Sequence, residues 1–319
     1  MLKNRILEKK NGDFPFLILA NNENNSKRNL ISLIQLERNQ LLIELYKHGA
    51  ILFRGYDLYD EQDFKEVIKN ITPELAYYVG GDSPREQLLD GIYTSTSYPK
   101  DQYISMHNEK SFSNIYPKYV FFFCQTAPEV GGETPILDGR KMYKLLNEKI
   151  IQEFSDRKLK YVMNLNDGPG IGKSWQEVFE IDDKKLLEKT LVKLKVHYYW
   201  KENGMLRIEE IVSPVMSHPI TKEKVFFSQA DQWHPSNLEP EVLNVLSEVI
   251  HEDDYYHHCY YGDGGMLNLE YLDEIRDLAK RELVTFQWRQ GDLLILDNIL
   301  TLHGRFPFEG KRKILVSMA

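Results

Sequence analysis

Hydrophobic positions in the first ninety residues recur at helical spacing and then at strand spacing. Leucine and isoleucine follow one another every three or four residues from 28 to 48, which predicts an amphipathic helix. The apolar run at 50–55 ends at glycine and predicts a short strand. Residues 60–71 predict a second helix with Asp60 as its N-cap. These elements form a predicted lead-in over about residues 1–90.

Short strand-like runs dominate the rest of the chain, with helices between them. Strands are predicted at 116–124, 195–200, 206–211, 225–229, 284–288, 292–297 and 314–318, and helices at 141–154, 184–193, 239–250 and 269–281. Residues 140–215 show the least regular pattern and are predicted to form an insertion. Short strands decorated by helices indicate a mainly β protein with a double-stranded β-helix, the jelly roll also found in cupins. We predict a single domain over 1–319, with its jelly-roll core at about 91–319.

Composition and charge narrow the class of protein. Hydrophobic residues make up 42% of the chain and aromatic residues 12%, which is enough for a large core. The sequence has no run of eighteen apolar residues to predict a membrane span, and its charged start is unlike a signal peptide. The two cysteines, Cys124 and Cys259, give no disulfide framework, so a reducing cytoplasm is expected. The net charge of −8 argues against nucleic acid as a partner, and the oligomeric state is left open.

Two histidines and one glutamate predict a metal site. In His107-Asn108-Glu109, the side chains of His107 and Glu109 point to one face of an extended strand, because alternate residues do so. His303 must come from a distant segment, which a rolled-up sheet allows. Two histidines and one carboxylate form the facial set that holds non-haem Fe(II) and leaves coordination positions open. Asn108 points to the opposite face and is expected to support the site rather than to bind the metal.

Several motifs around these residues occur together in one known family. Ile-Ser-Met-His-Asn-Glu at 104–109 precedes the apolar strand at 116–124, Gly-Gly-Glu-Thr-Pro follows at 131–135, and His-Gly-Arg-Phe-Pro-Phe lies at 303–308. From about His48 to the C-terminus, the chain resembles the taurine dioxygenase family of Fe(II)/2-oxoglutarate oxygenases. Its nearest resemblance is to the His-x-Glu subset, which includes clavaminate synthase and the amino-acid hydroxylases of peptide antibiotic pathways.

The resemblance implies an enzyme with Fe(II) as its metal, 2-oxoglutarate as co-substrate and O2 as oxidant. In this family, 2-oxoglutarate is converted to succinate and carbon dioxide while a C–H bond of the substrate is hydroxylated. The resemblance also implies a small-molecule substrate from natural product biosynthesis, an amino acid or a derivative, either free or tethered to a carrier protein. Desaturation and ring closure are alternative outcomes that the sequence leaves open.

The far carboxylate of 2-oxoglutarate requires a cationic anchor, for which a planar guanidinium is the best partner. The resemblance implies an arginine on the strand after the distal histidine. Strand alternation puts Arg312 on the same face as Ile314 and turns Lys313 away. Arg305, close to the preceding turn, is the alternative anchor. The resemblance further implies that Thr134 helps to hold this carboxylate, whereas on its own it would be an ordinary turn residue.

Three residues are candidates for contact with the substrate. Trp175 follows the glycine-rich loop at 167–174, a region that the resemblance implies to lie near the mouth of the active site. That loop is no phosphate-binding P-loop, because Asp167 stands where the motif requires glycine. Gln229 and Trp233 lie in a second stretch rich in aromatic and polar residues. We predict that these side chains face the substrate.

Two other functions stay open at this point. A zinc hydrolase could use the same three ligands with a bound water. The chain lacks the His-Glu-x-x-His helix that would supply a general base, however, and Arg312 and Thr134 would have no task. A non-catalytic, cupin-like metal-binding protein is the other alternative. Addition of Fe(II) and 2-oxoglutarate without oxygen distinguishes the oxygenase from these two alternatives. The chelate that 2-oxoglutarate forms with Fe(II) gives a visible charge-transfer band only in an oxygenase.

Overall fold

Strands make up most of the elements, and helices lie before and between them. The computed structural model describes residues 14–21, 23–76, 85–96 and 98–319. The helices are α1 Lys27–His48, α2 Glu61–Lys69, α3 Gly139–Leu145, α4 Glu148–Arg157, α5 Trp175–Phe179, α6 Lys184–Lys193, α7 Ala230–Trp233, α8 Pro240–Val249 and α9 Leu269–Glu282. The strands are β1 Phe16–Leu19, β2 Ala50–Arg54, β3 Gln87–Leu89, β4 Ile92–Thr94, β5 Ile104–His107, β6 Tyr119–Thr126, β7 Val130–Gly131, β8 Ile136–Asp138, β9 Leu159–Leu165, β10 His197–Trp200, β11 Leu206–Val212, β12 Val215–Ser217, β13 Lys224–Phe226, β14 His257–Tyr261, β15 Leu293–Asp297, β16 Thr301–Arg305, β17 Phe308–Glu309 and β18 Lys313–Met318.

The predicted lead-in elements are confirmed where the structure describes them. The first helix, α1, begins after Ser26, whose side chain accepts from the backbone N–H of Asn29, and ends at Gly49 with φ 79°. The strand β2 follows directly. The second helix, α2, is capped by Asp60 as predicted. Residues 1–13, 22 and 77–84 of the lead-in lie outside the described ranges.

A large sheet forms one wall of the fold, with the strand order β1-β2-β15-β6-β18-β4-β3. On its outer face, Phe123 of β6 stacks on Phe64 of α2 with ring centroids 5.5 Å apart. On its inner face, Phe122 packs with Val316 of β18 in a separate buried cluster. Both faces of β6 are therefore buried, which explains its continuous apolar run.

A smaller sheet closes the opposite side of the interior, with the order β5-β16-β8, and we call it the ligand sheet. Ile136 of β8 belongs to the same buried cluster as Phe122 of the large sheet. The ring of Phe122 also lies 5.1 Å from the ring of His303 on β16. The two sheets thus enclose a core whose wall carries two of the predicted metal ligands.

The middle of the chain is more regular than its sequence predicts. The insertion sheet has the order β10-β11-β9-β14, and β9 pairs with β11 over its whole length. The expectation of an irregular insertion at 140–215 is therefore wrong over much of this range. Six of the seven residues of β9 are buried. Such a strand carries no alternation of apolar and polar residues, and this removes the signal on which the prediction depends.

Three other element predictions need correction. The helix predicted at 141–154 is two helices, because Leu146 leaves helical geometry and Asn147 caps α4. The strand predicted at 225–229 shortens to β13. Residues 284–288 form no strand but one isolated bridge, between Val284 and Ile136. The alternation of apolar and polar residues at 284–288 reflects packing against the buried cluster that contains Phe122, where Trp288 is also buried.

In the described ranges, no helix combines the length and the apolar character needed to cross a membrane. Both cysteines are buried and free. The assignment of the whole chain to one domain stays a prediction.

Candidate metal centre

The three predicted metal ligands converge at the ligand sheet. His107 is the last residue of β5 and lies opposite His303 of β16 in the ladder, while Glu109 follows two residues after the strand ends. Each residue can offer one ligand atom, and these atoms all lie within 4.8 Å of one another. All three side chains are buried. No other group of histidine, cysteine or acidic residues in the described part of the chain meets this condition. The site can therefore hold a metal ion.

Asn298 fixes the backbone of Glu109 from both sides. The Glu109 N–H donates to Asn298 Oδ1 at 2.8 Å, and Asn298 Nδ2 donates to the Glu109 carbonyl at 2.9 Å. Asn108 donates from Nδ2 to the Asn298 carbonyl at 2.7 Å, in agreement with its expected supporting place. The segment before His303 is thus bonded to the segment that carries Glu109. Sequence reasoning missed Asn298, although its position beside Asp297 at the end of an apolar strand was a signal.

The hydrogen bond of His107 leaves one ring nitrogen for a metal. His107 Nδ1 lies 2.8 Å from the Ser105 carbonyl, which can only accept, so Nδ1 donates there and Nε2 is the nitrogen that can bind a metal. Burial lowers the pKa of His303 well below its usual value, and the neighbouring His107 and Arg85 act in the same direction. A neutral imidazole is what a metal requires. Within the described residues, Nδ1 of His303 has no hydrogen-bond partner.

Arg85 brings a positive charge to the centre. Its Nη2 donates to Glu109 Oε2 at 2.9 Å, and both side chains are buried. Sequence reasoning missed this residue, because no local motif connects Arg85 to a glutamate twenty-four residues away. The contact gives the carboxylate a cationic partner in addition to any metal.

The guanidinium of Arg312 lies inside the protein with neutral partners. Its Nε donates to the Gly132 carbonyl at 2.9 Å, Nη1 approaches Ser95 Oγ at 3.3 Å, and Nη2 approaches Thr134 Oγ1 at 3.5 Å. It forms no ion pair with any residue in the described ranges. Burial, then the charge of Arg305, lowers the pKa of Arg312 to about 10. A desolvated cation of this kind favours an anionic ligand.

Thr134 lies at the tip of this guanidinium and is buried. Its Oγ1 accepts from Trp288 Nε1 at 3.2 Å, in addition to its contact with Arg312. Because two donors point at the oxygen, the hydroxyl proton is left to donate elsewhere, and a carboxylate beside Arg312 would accept it. Trp288 was not recognised from the sequence, where it ended a supposed strand.

Gly132 gives Arg312 its path into the interior. Its φ is +68°, and a Cβ there would lie 2.9 Å from Phe308 Cβ and 3.0 Å from Arg312 Cδ. Only glycine accommodates both the left-handed backbone and the passing side chain. The Gly-Gly-Glu-Thr motif therefore shapes the cation site as well as supplying Thr134.

Arg305 has a different environment. Its Nη1 donates to the Tyr98 carbonyl at 3.0 Å, and its Nη2 donates to the carbonyls of Pro99 and Gln102. These bonds tie β16 to the loop that leads into β5. The donors that would grip a carboxylate are thus already in use, which disfavours Arg305 as the anchor.

The three substrate candidates differ in position. Trp175 is buried, and its Nε1 donates to Asp167 Oδ1 at 3.1 Å, so its place gives no support to substrate contact. Gln229 accepts from the Ser111 N–H at 3.0 Å and thereby holds the segment after Glu109. Trp233 presents its ring to Phe112, with centroids 4.5 Å apart. All three roles stay predictions.

Comparison with known proteins identifies the class. The model of the family described as taurine catabolism dioxygenase TauD, TfdA family matches residues 24–318. The chain is 36% identical over 275 residues to the dapdiamide synthesis protein DdaC of Enterobacter agglomerans, covering 86% of this chain and 83% of that protein. It is 28% identical over 297 residues to a clavaminate synthase-like protein of Arabidopsis thaliana, covering 89% and 86%.

A solved structure shows the same fold. Asparagine oxygenase, in complex with Fe(II), 2S,3S-3-hydroxyasparagine and succinate, aligns with a TM-score of 0.55 at 13% identity, over 95% of this chain and 93% of that chain. The double-stranded β-helix predicted from the sequence is thereby confirmed.

The chain belongs to the TauD/TfdA dioxygenase family. The prediction of an Fe(II)- and 2-oxoglutarate-dependent dioxygenase is confirmed with it. The assignment of particular side chains to the metal, the co-substrate and the substrate goes further and is taken up below.

Proposed function

We propose that this protein hydroxylates an unactivated C–H bond of an amino acid or an amino-acid derivative, with release of succinate and carbon dioxide. One observation carries the proposal. The buried His-Glu-His cluster includes His303, which pairs with Ile136 in the ligand sheet, and two residues before Ile136 the hydroxyl of Thr134 contacts the guanidinium of Arg312. Such a cation is what a dianionic co-substrate requires at its far end.

In this proposal, His107, Glu109 and His303 hold Fe(II). Two imidazole nitrogens and one carboxylate oxygen suit this ion and leave positions for the co-substrate and O2. The bound iron supplies the oxidising chemistry at the expense of 2-oxoglutarate. Arg312 binds the far carboxylate of 2-oxoglutarate, and Thr134 donates its hydroxyl proton to it. The zinc hydrolase and the non-catalytic cupin, by contrast, leave these two residues without a task.

The names of the relatives support an amino-acid substrate. The name of DdaC refers to dapdiamide synthesis, and the asparagine oxygenase structure holds a hydroxylated asparagine. The proposal therefore extends to a small-molecule substrate in natural product biosynthesis, taken free or on a carrier protein. It also includes action in the cytoplasm, a reducing compartment that suits the free thiols of Cys124 and Cys259.

Succinate release across a panel of amino acids tests the proposal. Each amino acid is supplied free and loaded on a carrier protein, with Fe(II), 2-oxoglutarate and O2, and products are identified by mass spectrometry. We expect one substrate to raise succinate release above the substrate-free rate and to gain one oxygen atom. The His303→Ala variant serves as the inactive control. If no amino acid in either form stimulated succinate release, the proposal would fail.

A further inference from the structure

A cavity of about 330 Å³ lies between the insertion sheet and the segment that follows Glu109. We call it the insertion cavity. Lys110, the residue that follows Glu109 in the chain, lines the cavity together with Phe112. Lys110 adopts φ 55°, a left-handed conformation that is uncommon for a residue with a side chain. Such strained positions concentrate at binding and catalytic sites. The lining of the cavity therefore includes a strained residue directly next to a predicted metal ligand.

Aromatic rings in fixed orientations form one part of the cavity lining. The ring of Trp233 lies 4.5 Å from Phe112 and 5.4 Å from Tyr161, and it stacks on His257 at 4.0 Å. The hydroxyl of Tyr161 accepts from the Gln229 N–H at 2.9 Å, so its polar end is already bonded. The wall thus presents ring carbon and is formed before any ligand arrives.

The insertion supplies an apolar opposite wall, from Phe179, Leu194, Val196 and Ile208. The few polar side chains at the cavity are largely committed to other bonds. Glu210 Oε2 accepts from the N–H and Nδ2 of Asn114, and Thr190 donates to the Leu186 carbonyl. A polar group entering here would lose its hydration without recovering equivalent hydrogen bonds.

We infer that the insertion cavity binds an apolar part of the substrate, an aliphatic or aromatic group. The polar head of the substrate lies at the Lys110 end, beside the metal ligands. This inference rests on the proposed function and narrows it: the substrate is an amino acid or derivative with a large apolar group. A compact polar side chain such as that of asparagine fits the cavity poorly.

Binding of two amino acids of similar length tests the inference. Norleucine and glutamine, each free and as its N-acetylcysteamine thioester, are titrated calorimetrically into the full chain with Fe(II) and 2-oxoglutarate under anaerobic conditions. We expect norleucine to bind about tenfold more tightly than glutamine, the discrimination typical of an apolar pocket. Equal affinities, tighter glutamine binding or no norleucine binding in either form would overturn the inference.

A substitution that fills the cavity provides a second test. Ile208 lines the cavity and is 9% exposed, whereas Ile211 lies three residues further along β11 and is 49% exposed. We expect Ile208→Trp to weaken norleucine binding about tenfold or more, with Ile211→Trp unchanged. If the tryptophan prevents folding, Ile208→Ala replaces it and should shift the preference from norleucine towards 2-aminooctanoate. Unchanged ligand preference in a folded Ile208 variant would contradict the inference.

Failure of the inference and failure of the proposed function give different results. If the charge-transfer band with Fe(II) and 2-oxoglutarate forms in the wild type but norleucine has no advantage, only the inference fails. If the band does not form while norleucine still binds preferentially, the proposed function fails and the cavity assignment stands.

Discussion

Arg305 and Arg312 lie seven residues apart and have opposite environments. Both guanidinium groups lie over the ring of Phe308, at 5.5 Å and 5.6 Å from its centroid. The Nη groups of Arg305 donate to three backbone carbonyls of the loop before β5. Arg312 has one carbonyl and two longer contacts with hydroxyl oxygens. The two arginines differ in how many of their donors the fold has already bonded, and on this ground we propose Arg312, and not Arg305, as the anion site.

The largest expected effect comes from Arg312→Gln. We expect it to weaken 2-oxoglutarate binding by roughly 2–5 kcal/mol, the scale for removing one side of a buried charge pair. Lys313→Gln, at the neighbouring position, is the control and should leave the affinity nearly unchanged. The affinity is measured by anaerobic titration in each variant. Equal losses in the two variants would show that the effect is a general loss of positive charge.

Arg305→Gln should act mainly on stability. Three carbonyls lose a charged donor, and we expect the free energy of unfolding to fall by about 3 kcal/mol. Its effect on 2-oxoglutarate binding should lie between those of the Arg312 and Lys313 variants. Denaturant unfolding and the same ligand titration measure the two effects. If the Arg305 variant kept wild-type stability and lost much of its 2-oxoglutarate affinity, Arg305 would be the anchor for 2-oxoglutarate in place of Arg312.

Arg85 is a third arginine, this time paired with a metal ligand. Its positive charge opposes a cation at the centre, so Arg85→Gln should raise Fe(II) affinity by about 1.4 kcal/mol, or about tenfold. Arg85→Lys keeps the charge and should stay near the wild type. Competition with a coloured chelator measures the affinity. If Arg85→Gln weakened Fe(II) binding, Arg85 would instead hold Glu109 in its liganding position.

Thr134→Val should give the smallest effect. It removes one hydroxyl donor at nearly constant shape, and we expect a loss of about 1 kcal/mol in 2-oxoglutarate binding. Thr126→Val, at an exposed position of β6, is the matched control. An unchanged affinity in the Thr134 variant would make this residue only a support for Trp288.

The sequence predicted functional residues best where they lie close together in the chain. His107 and Glu109 are two residues apart, and their side chains lie together as predicted, although β5 ends at His107 and Asn298 holds the backbone of Glu109. Arg312 lies beside Thr134, the other residue predicted to bind 2-oxoglutarate. Strict alternation is not the reason, since β18 begins at Lys313 and its register shifts between Lys313 and Ile314. Its side chain reaches the interior past Gly132.

Residues whose partners are distant in the sequence could not be found in this way. Asn298 bonds to Glu109 across 189 positions, and Trp288 bonds to Thr134 across 154. Neither contact leaves a periodic signal in the chain. The insertion cavity likewise is formed by segments that meet only in the fold. The strand β9 was not predicted, because it is buried almost throughout and so lacks the alternation of apolar and polar residues.

Anaerobic titration of the Fe(II)-loaded protein with 2-oxoglutarate, followed through the charge-transfer band, tests the central claim most directly. That claim is that His107, Glu109 and His303 hold the iron while Arg312 holds the far end of 2-oxoglutarate. We expect the wild type and Lys313→Gln to form the band at similar concentrations, Arg312→Gln to require far more 2-oxoglutarate, and Glu109→Ala to form none. A normal band in Glu109→Ala, or a loss in Lys313→Gln with none in Arg312→Gln, would contradict it.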